Sequence, residues 1–309
     1  MSKGPAKKIA DITKGFAKHQ YICSEQISTA VYLANELEKP ILIEGPPGVG
    51  KTELANTAAL YYKKALLRLQ CYEGLDETKA LYEWRYGKQL LYTQILKEQM
   101  QEVLEGAKGL KESLDRLMEF EDIFFSEQFL ESRPLLKSLT SSEGNVLLID
   151  EVDKADEEFE ALLLEILSEF QVSIPELGVK KAVVKPLVIL TSNNSREIGD
   201  ALKRRCLHLY IPFPDAKLER EIIQARVPEI SKNLQIQLVD FVQGLRELDL
   251  KKLPAISETI DWAKTLIILN ADELSQELAK STLNVLLKHQ QDIDAVQKEV
   301  PRLVMASDG

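Results

Sequence analysis

The sequence predicts an α/β fold, in which a sheet of parallel strands is followed by a small all-α domain. Two observations carry this prediction. Up to Ile211, short apolar runs alternate with longer segments of helical period, which is typical of strand–helix–strand units. A Pro-Phe-Pro-Asp stretch at 212–215 then interrupts the chain, and every segment beyond it has helical periodicity.

The apolar runs predict five strands, at 40–44, 66–70, 145–150, 186–191 and 207–211. Helices are predicted among them at 25–38, 52–64 and 156–170. A charged, amphipathic helix at 94–120 looks inserted between the second and third strands, with a break at Gly106 and Gly109. The all-α part predicts helices at 216–226, 229–247, 256–270 and 273–289, with Pro228 and Pro254 as boundaries. We therefore expect an N-terminal extension at 1–19, an α/β core at 20–214 and a helical domain at 215–309.

The composition narrows the class of protein. The 309 residues are 45% hydrophobic and 28% charged, with a formal net charge of −10, and the isoelectric point is near 5.1. So apolar a chain is not disordered, and its acidity argues against a general nucleic-acid binder. No apolar run approaches the roughly 20 residues that span a bilayer, and the basic N-terminus lacks the apolar region of a secretory signal. A cytoplasmic location is expected.

The three cysteines, Cys23, Cys71 and Cys206, are far apart, and no pair has CxxC spacing. The three histidines fit no zinc-site spacing. We expect the cysteines to be buried free thiols.

Gly45, Gly50, Lys51 and Thr52 follow the first predicted strand and match the phosphate-binding pattern G-x-x-x-x-G-K-S/T. The glycines let backbone N–H groups turn inward as an anion nest, and the next helix points its N-terminus at the same place. Lys51 can reach the β- and γ-phosphates, and the Thr52 hydroxyl can ligate Mg²⁺. A structural turn is the alternative, but the position between a strand and a helix favours a site for ATP and Mg²⁺. The candidate nucleotide contacts are Gly45, Pro46, Pro47, Gly48, Val49, Gly50, Lys51, Thr52 and Glu53.

Asp150 and Glu151 stand at the end of the third predicted strand, where open α/β sheets place their ligands. Asp150 would hold Mg²⁺ together with Thr52, and Glu151 could polarise the attacking water as general base. For an isolated Asp-Glu-Val-Asp, an acidic helix start is the alternative. The presence of the phosphate loop favours the catalytic interpretation.

Two further groups complete the candidate catalytic set. Asn193 follows the fourth strand, where a neutral amide can orient a water against the γ-phosphate; a turn or a helix cap is the alternative. Arg204 and Arg205 end a short predicted helix before the last strand. A guanidinium there is expected to reach a neighbouring subunit's phosphates, and a solvated basic helix end is the alternative.

With these motifs in this order, the sequence resembles the AAA+ ATPases, specifically the MoxR branch, over roughly residues 20–290. The resemblance rests on IEGPPGVGKT at 43–52, LIDEVDK at 148–154, TSN at 191–193 and LKRR at 202–205. Two subtler features are similar to MoxR-like proteins. One is the segment 70–76 with 82–84, and the other is 169–174 followed by 182–184, which resembles the hairpin before the sensor strand.

The resemblance implies a P-loop NTPase core with a five-stranded parallel sheet, a helical lid, and a hexameric ring with nucleotide at each subunit interface. It implies Asn193 as first sensor, and Arg204 or Arg205 as the finger that reaches the neighbouring site. It also implies chaperone-like, ATP-driven remodelling of a protein substrate, such as a metalloenzyme or a protein complex. A partner with a von Willebrand A domain often accompanies such proteins. A nucleic-acid motor, disfavoured by the acidic composition, and a nucleotide-gated scaffold are the alternatives.

The sequence departs from the family at the second sensor, which is normally an arginine at the start of a lid helix. The matching stretch, 253–260, has no arginine. Arg246, Lys251 and Lys252 are the nearby cations that could substitute, and no second sensor is assigned.

Overall fold

The helices and strands are those of a computed structural model that describes residues 4–92, 94, 126–175 and 177–306. The helices are α1 (Pro5–Lys18), α2 (Glu25–Leu37), α3 (Lys51–Tyr62), α4 (Glu77–Ala80), α5 (Pro134–Thr140), α6 (Glu157–Glu169), α7 (Asp200–Arg205), α8 (Ala216–Arg226), α9 (Lys232–Arg246), α10 (Ile256–Ile268), α11 (Gln276–Leu286) and α12 (Gln290–Ala306). The strands are β1 (Ile41–Glu44), β2 (Ala65–Gln70), β3 (Tyr82–Trp84), β4 (Leu130–Ser132), β5 (Asn145–Asp150), β6 (Gln171–Ile174), β7 (Gly178–Lys181), β8 (Leu187–Ser192) and β9 (Leu207–Tyr210).

Five parallel strands form the central sheet, in the order β2-β5-β8-β1-β9. Each strand lies within one residue of its predicted span, so the predicted fold class is confirmed. Because all five strands run the same way, the loops that follow β1, β5 and β8 meet at one edge. The register there pairs Gln70 with Asp150, and Glu44 with both Ser192 and Tyr210.

Buried side chains on both faces hold this sheet in place. Every residue of β5 and of β8 is buried, as expected of central strands that are covered on both sides. Leu147 and Ile149 face the cluster that α5 and α6 cover. Val146 and Leu148 face the opposite cluster, to which α1, α2 and α3 contribute. The strand ends are therefore fixed, and with them the loops that carry the candidate site.

The helices after β9 have a core of their own. Buried residues from α8 to α12 form one cluster, among them Leu238, Trp262 and Val300. A buried ion pair joins three of these helices, because Glu219 of α8 accepts from Arg246 of α9 at 2.7 and 2.8 Å and from Thr259 of α10 at 2.9 Å. The predicted domain borders at 19/20 and 214/215 stay predictions.

Two small elements differ from the sequence-based expectation. The predicted N-terminal extension contains α1, which buries Ile12 and Phe16 against the sheet. The hairpin returns earlier than predicted, because Ile174 pairs directly with Gly178, whose φ is +72°. Its second strand is therefore β7 rather than 182–184.

The helical domain also departs from prediction at two points. α9 begins at Lys232 rather than at 229, because the Ser231 side chain caps it by accepting from the Leu234 amide. The last predicted helix, 273–289, ends at Leu286, and α12 follows although Pro301 lies inside it. The predicted helix 94–120 lies outside the described residues except for its first residue.

Two of the three cysteines have the expected burial. Cys23 and Cys71 are buried, but Cys206 is only half-buried. Burial raises the pKa of all three thiols, to about 12 for Cys71 and Cys206, so the thiolate forms are scarce. Across the described part of the chain, no helix combines the length and apolar character needed to cross a bilayer.

Candidate functional site

The loop between β1 and α3 has the backbone of an anion nest. Gly45, Gly48 and Gly50 have φ of +152°, +76° and +94°. A Cβ at Gly45 would lie 2.2 Å from the Ile211 carbonyl oxygen, and one at Gly48 would lie 2.6 Å from Ala255 Cβ. Only glycine fits these positions. α3 begins at Lys51, with Gly50 as its N-cap, one residue before the predicted start. The first amides of α3 are therefore available to an anion held in the loop.

Lys51 lies folded over this loop. Its Nζ donates to the carbonyl oxygens of Gly45 and Pro46 and to Asn193 Oδ1, each at 2.7 Å. The residue is only 6% exposed. Burial lowers the pKa of Lys51 to about 8, against the opposing effect of Asp150, Asp153 and Glu151. The lysine is thus a buried cation whose charge is only partly compensated, which suits it to an anionic ligand.

Thr52 and Asp150 come together from the start of α3 and the end of β5. The Thr52 hydroxyl donates to Asp150 Oδ1 at 3.1 Å, and Asp150 is 3% exposed. Thr191 Oγ1 also donates to Asp150 Oδ1, at 2.6 Å. Carboxylate and hydroxyl oxygens are the protein ligands that Mg²⁺ prefers, with water and phosphate supplying the rest. The residues present therefore fit a Mg²⁺ ion.

Glu151 has a left-handed backbone, with φ of +56°, which is uncommon outside glycine and clusters at functional sites. Its carboxylate accepts from Asn193 Nδ2 at 3.1 Å and from Gln70 Nε2 at 2.9 Å. Lys154 Nζ lies 2.6 Å from the same carboxylate. The structure thus brings together the two residues that the sequence predicted, Glu151 and Asn193. It adds Gln70 and Lys154, which sequence reasoning missed.

Asp153 fixes the loop that carries Asn193. Its carboxylate accepts from the amides of Asn193 and Ser195, at 3.2 and 2.9 Å, and from the Ser195 hydroxyl at 2.5 Å. Burial raises the pKa of Asp153, but the hydrogen bonds from Ser195 and Asn193 outweigh it, and the pKa lies below its usual value. The last residue of the acidic motif is therefore an ionised support for Asn193.

Arg204 and Arg205 lie at the end of α7 with exposed side chains. Among the described residues, neither guanidinium forms a hydrogen bond or an ion pair with the phosphate loop. The start of α7 is fixed by Glu160, which accepts from the Gly199 amide at 2.9 Å and pairs with Arg196. A single chain does not bring these two predicted residues into the site.

A cavity of about 380 Å³ lies between the phosphate loop and the helical domain. Its apolar walls are Ile22, Ile27, Ile211, Leu218, Ile222, Ile256 and Ile260. The same cavity reaches Lys51, Thr52, Asp150 and Glu151. The cavity thus combines apolar walls that suit a flat ring with polar groups that suit phosphates.

The start of α10, which belongs to the stretch where the resemblance implies a second sensor, lies against the phosphate loop. Ser257 Oγ would be 2.7 Å from a Cβ at Gly48. Arg246 does not substitute for the second sensor, because its side chain is 7% exposed and paired with Glu219.

Arg226 of α8 contacts α3, where its Nη2 donates to Glu53 Oε1 at 3.1 Å. Glu53, a predicted nucleotide contact, thus forms an ion pair with the helical domain.

Comparison with known proteins identifies the family of this chain. The AAA domain, dynein-related subfamily, matches residues 40–206, which is more than half of the chain. An uncharacterised protein of Staphylococcus haemolyticus is 25% identical over 261 residues, 82% of this chain and 85% of that protein. An uncharacterised protein of Staphylococcus aureus is 24% identical over 241 residues, 76% of this chain and 78% of that protein.

Among solved structures, a threonine-to-valine variant of RuvB from Thermotoga maritima is similar over 85% of this chain and 67% of that chain, with a TM-score of 0.47 and 18% identity. The family match at 40–206 contains the phosphate loop, the acidic end of β5, Asn193 and the arginine pair. The chain belongs to the AAA domain family, in its dynein-related subfamily.

Proposed function

We propose that this protein is a Mg²⁺-dependent ATPase that remodels a protein substrate. The convergence of Thr52, Asp150, Glu151 and Asn193 is the observation that carries the proposal. These side chains come from the start of α3 and the ends of β5 and β8, and hydrogen bonds link them at one edge of the sheet. A nucleotide scaffold that does not turn over has no need of a carboxylate held beside the phosphate loop.

Each residue has a distinct role in hydrolysis. The nest at 45–50, the amides of α3 and Lys51 hold the phosphates, and Thr52 with Asp150 holds the Mg²⁺ that shields their charge. Glu151 takes a proton from the attacking water as general base. Asn193 orients Glu151 by donating to its carboxylate. Asn193 also accepts from Lys51, and this position supports its role as the first sensor of the γ-phosphate.

The active site is shared between subunits of a homo-oligomeric, hexameric ring. Arg204 and Arg205 support this part of the proposal, since they are exposed on α7 and, within the described part of the chain, form no hydrogen bond or ion pair with their own phosphate loop. One of them stabilises the charge that develops on a neighbour's phosphates during transfer.

The support for a remodelling role is the similarity to MoxR-like proteins at 70–76 and 82–84 and in the hairpin formed by β6 and β7. In this proposal, the ring acts in the cytoplasm with a partner that carries a von Willebrand A domain. Its substrate is a metalloenzyme or protein complex that needs maturation.

Replacing the general base tests the proposal most directly. Glu151→Gln keeps the shape and the Mg²⁺ ligand Asp150 but cannot accept the proton, so Mg·ATP should bind while turnover falls roughly 10²- to 10⁴-fold. Phosphate release and equilibrium nucleotide binding are the two measurements. Glu158→Gln, an exposed change on α6, is the matched control and should hydrolyse ATP as the wild type does. Full turnover in Glu151→Gln would show that another group activates the water, and no turnover in the wild type would leave a nucleotide-gated scaffold.

A further inference from the structure

Arg68 lies on the edge strand β2 and forms an ion pair that the proposed catalytic cycle does not use. Its Nη2 donates to Asp150 Oδ2 at 2.6 Å. The guanidinium also donates to the side chain of Gln70 at 2.8 Å, and Gln70 in turn donates to Glu151. We propose that Arg68 is a positioning residue that serves as the counter-ion of Asp150 in the nucleotide-free site and sets the Mg²⁺ concentration at which the site fills.

The sheet register places Arg68 for this contact. In the parallel pairing of β2 with β5, Arg68 lies opposite Leu148, and Gln70 lies opposite Asp150. Residues two apart on a strand share a face, so Arg68 and Gln70 lie on the same face as Asp150. A long arginine side chain can then run along the strand to the carboxylate at its end.

The two carboxylate oxygens of Asp150 have different partners. Oδ1 accepts from Thr191 at 2.6 Å and from Thr52 at 3.1 Å. Oδ2 accepts from Arg68 at 2.6 Å and from Thr52 at 3.3 Å. A divalent cation held by Thr52 and Asp150 would therefore meet a guanidinium already bonded to the same carboxylate. Two cations bound to the same carboxylate repel each other, and the repulsion is stronger in a partly buried site than in water.

The difference in burial indicates which partner moves. The Asp150 side chain is 4% exposed, whereas the Arg68 side chain is 53% exposed. Arg68 can therefore withdraw into water at little cost, while Asp150 cannot. Without a cation, losing Arg68 would remove an ion-pair partner from a buried carboxylate, which destabilises a fold. Arg68 thus stabilises the metal-free site and opposes Mg²⁺ binding.

This inference rests on the proposed function, because it concerns how the ATPase site fills. Its test is the Mg²⁺ dependence of binding a non-hydrolysable fluorescent ATP analogue, compared between wild type and Arg68→Met. Methionine keeps much of the aliphatic length without the charge, so the half-saturating Mg²⁺ concentration should fall about tenfold. Thermal melting in EDTA should show the reverse effect, with Arg68→Met melting below wild type and the gap closing as Mg²⁺ and nucleotide are added.

Two further variants make the result specific. Arg85→Met removes a similarly exposed arginine, whose partner is Glu131 at 3.3 Å, and should leave the Mg²⁺ dependence unchanged. Arg68→Lys restores a cation and should return the half-saturating concentration toward that of the wild type. An Arg68→Met protein that needs as much Mg²⁺ as the wild type, or more, would overturn the inference and leave the proposed function intact. A wild-type protein that binds no nucleotide at any Mg²⁺ concentration would overturn both.

Discussion

At the scale of single residues, Lys51 is a group of the candidate site whose pKa folding lowers. Burial lowers its pKa from 10.5 to about 8. Between these two values Lys51 holds more protons in the unfolded chain than in the folded one, so the contribution of Lys51 to the free energy of unfolding should rise with pH in this window. Bound phosphates favour the protonated form of Lys51, because their negative charge attracts the ammonium group.

Raising the pH from 7 to 9.5 should therefore weaken nucleotide binding, and it should stabilise the nucleotide-free wild type relative to Lys51→Met, which has the same cysteines. Calorimetry in buffers of different ionisation enthalpy should detect proton uptake on binding near pH 8, and urea unfolding should report the gain in stability. Lys51→Met is the matched reference, and neither effect should survive in it. If wild type and Lys51→Met gain stability in parallel over this range, some group other than Lys51 titrates.

The motif residues were predictable from the sequence because their spacing along the chain encodes their contacts. Thr52, Asp150, Glu151 and Asn193 each end or begin a regular element, and parallel strands bring such ends together. Arg68 and Gln70 were not predictable in this way. Their contacts depend on β2 lying next to β5, and strand order cannot be read from local periodicity.

At the scale of elements, the approach of α10 to the phosphate loop is one contact between the helical domain and the α/β core. Gly48 is where they meet, since a Cβ there would lie 2.6 Å from Ala255 Cβ and 2.7 Å from Ser257 Oγ. No arginine stands at this helix start, so close packing rather than an arginine ion pair relates α10 to the loop.

Gly48→Ala should separate α10 from the phosphate loop and weaken nucleotide binding. Its backbone strain, about 1–2 kcal/mol for a non-glycine residue in the left-handed region, complicates a comparison with wild type alone. Gly74→Ala is the matched control, because Gly74 has φ of +75° against +76° for Gly48 but nothing within 4 Å of its Cβ. Both variants should lose similar stability in chemical denaturation, and only Gly48→Ala should lose nucleotide affinity. Equal nucleotide affinity in the two variants would show that α10 does not shape the site.

Elements with strong periodicity were predicted well, and the exceptions have physical causes. The five sheet strands are short apolar runs, and the two central strands β5 and β8 are buried throughout, so the strand ends are clear in the sequence. No helix was predicted at 290–306, where α12 lies; Pro301 is inside this helix, which buries Val296, Val300 and Leu303. Packing against the helical domain therefore outweighs the local cost of the proline.

At the scale of the whole molecule, the arginine pair on α7 decides whether one chain or two make an active site. Glu160 fixes the start of α7 through the Gly199 amide, so Arg204 and Arg205 project from a firmly held helix. An arginine that is exposed and, among the described residues, forms no hydrogen bond or ion pair with its own phosphate loop is suited to a neighbour's nucleotide. This arrangement cannot be derived from periodicity, because it concerns contacts between chains.

Arg204→Ala should bind ATP as the wild type does but lose most of its turnover. An arginine supplied to another subunit contributes about 10³ to 10⁵ in the turnover of other P-loop enzymes. Mixing Arg204→Ala with Lys51→Ala subunits should restore part of the activity, because some interfaces then join an intact phosphate loop to an intact arginine. ATPase rates at several mixing ratios, with nucleotide binding measured in parallel, provide the check.

The double variant, Lys51→Ala with Arg204→Ala, is the control for this recovery of activity. It has neither an intact phosphate loop nor an intact arginine finger, so mixing it with either single variant should restore no ATPase activity. Arg205→Ala tests the other arginine of the pair in the same way. If it shows the loss and the rescue while Arg204→Ala does not, the finger is Arg205. If both arginine variants hydrolyse ATP at the wild-type rate, the site is complete within one chain and the shared-site proposal is wrong.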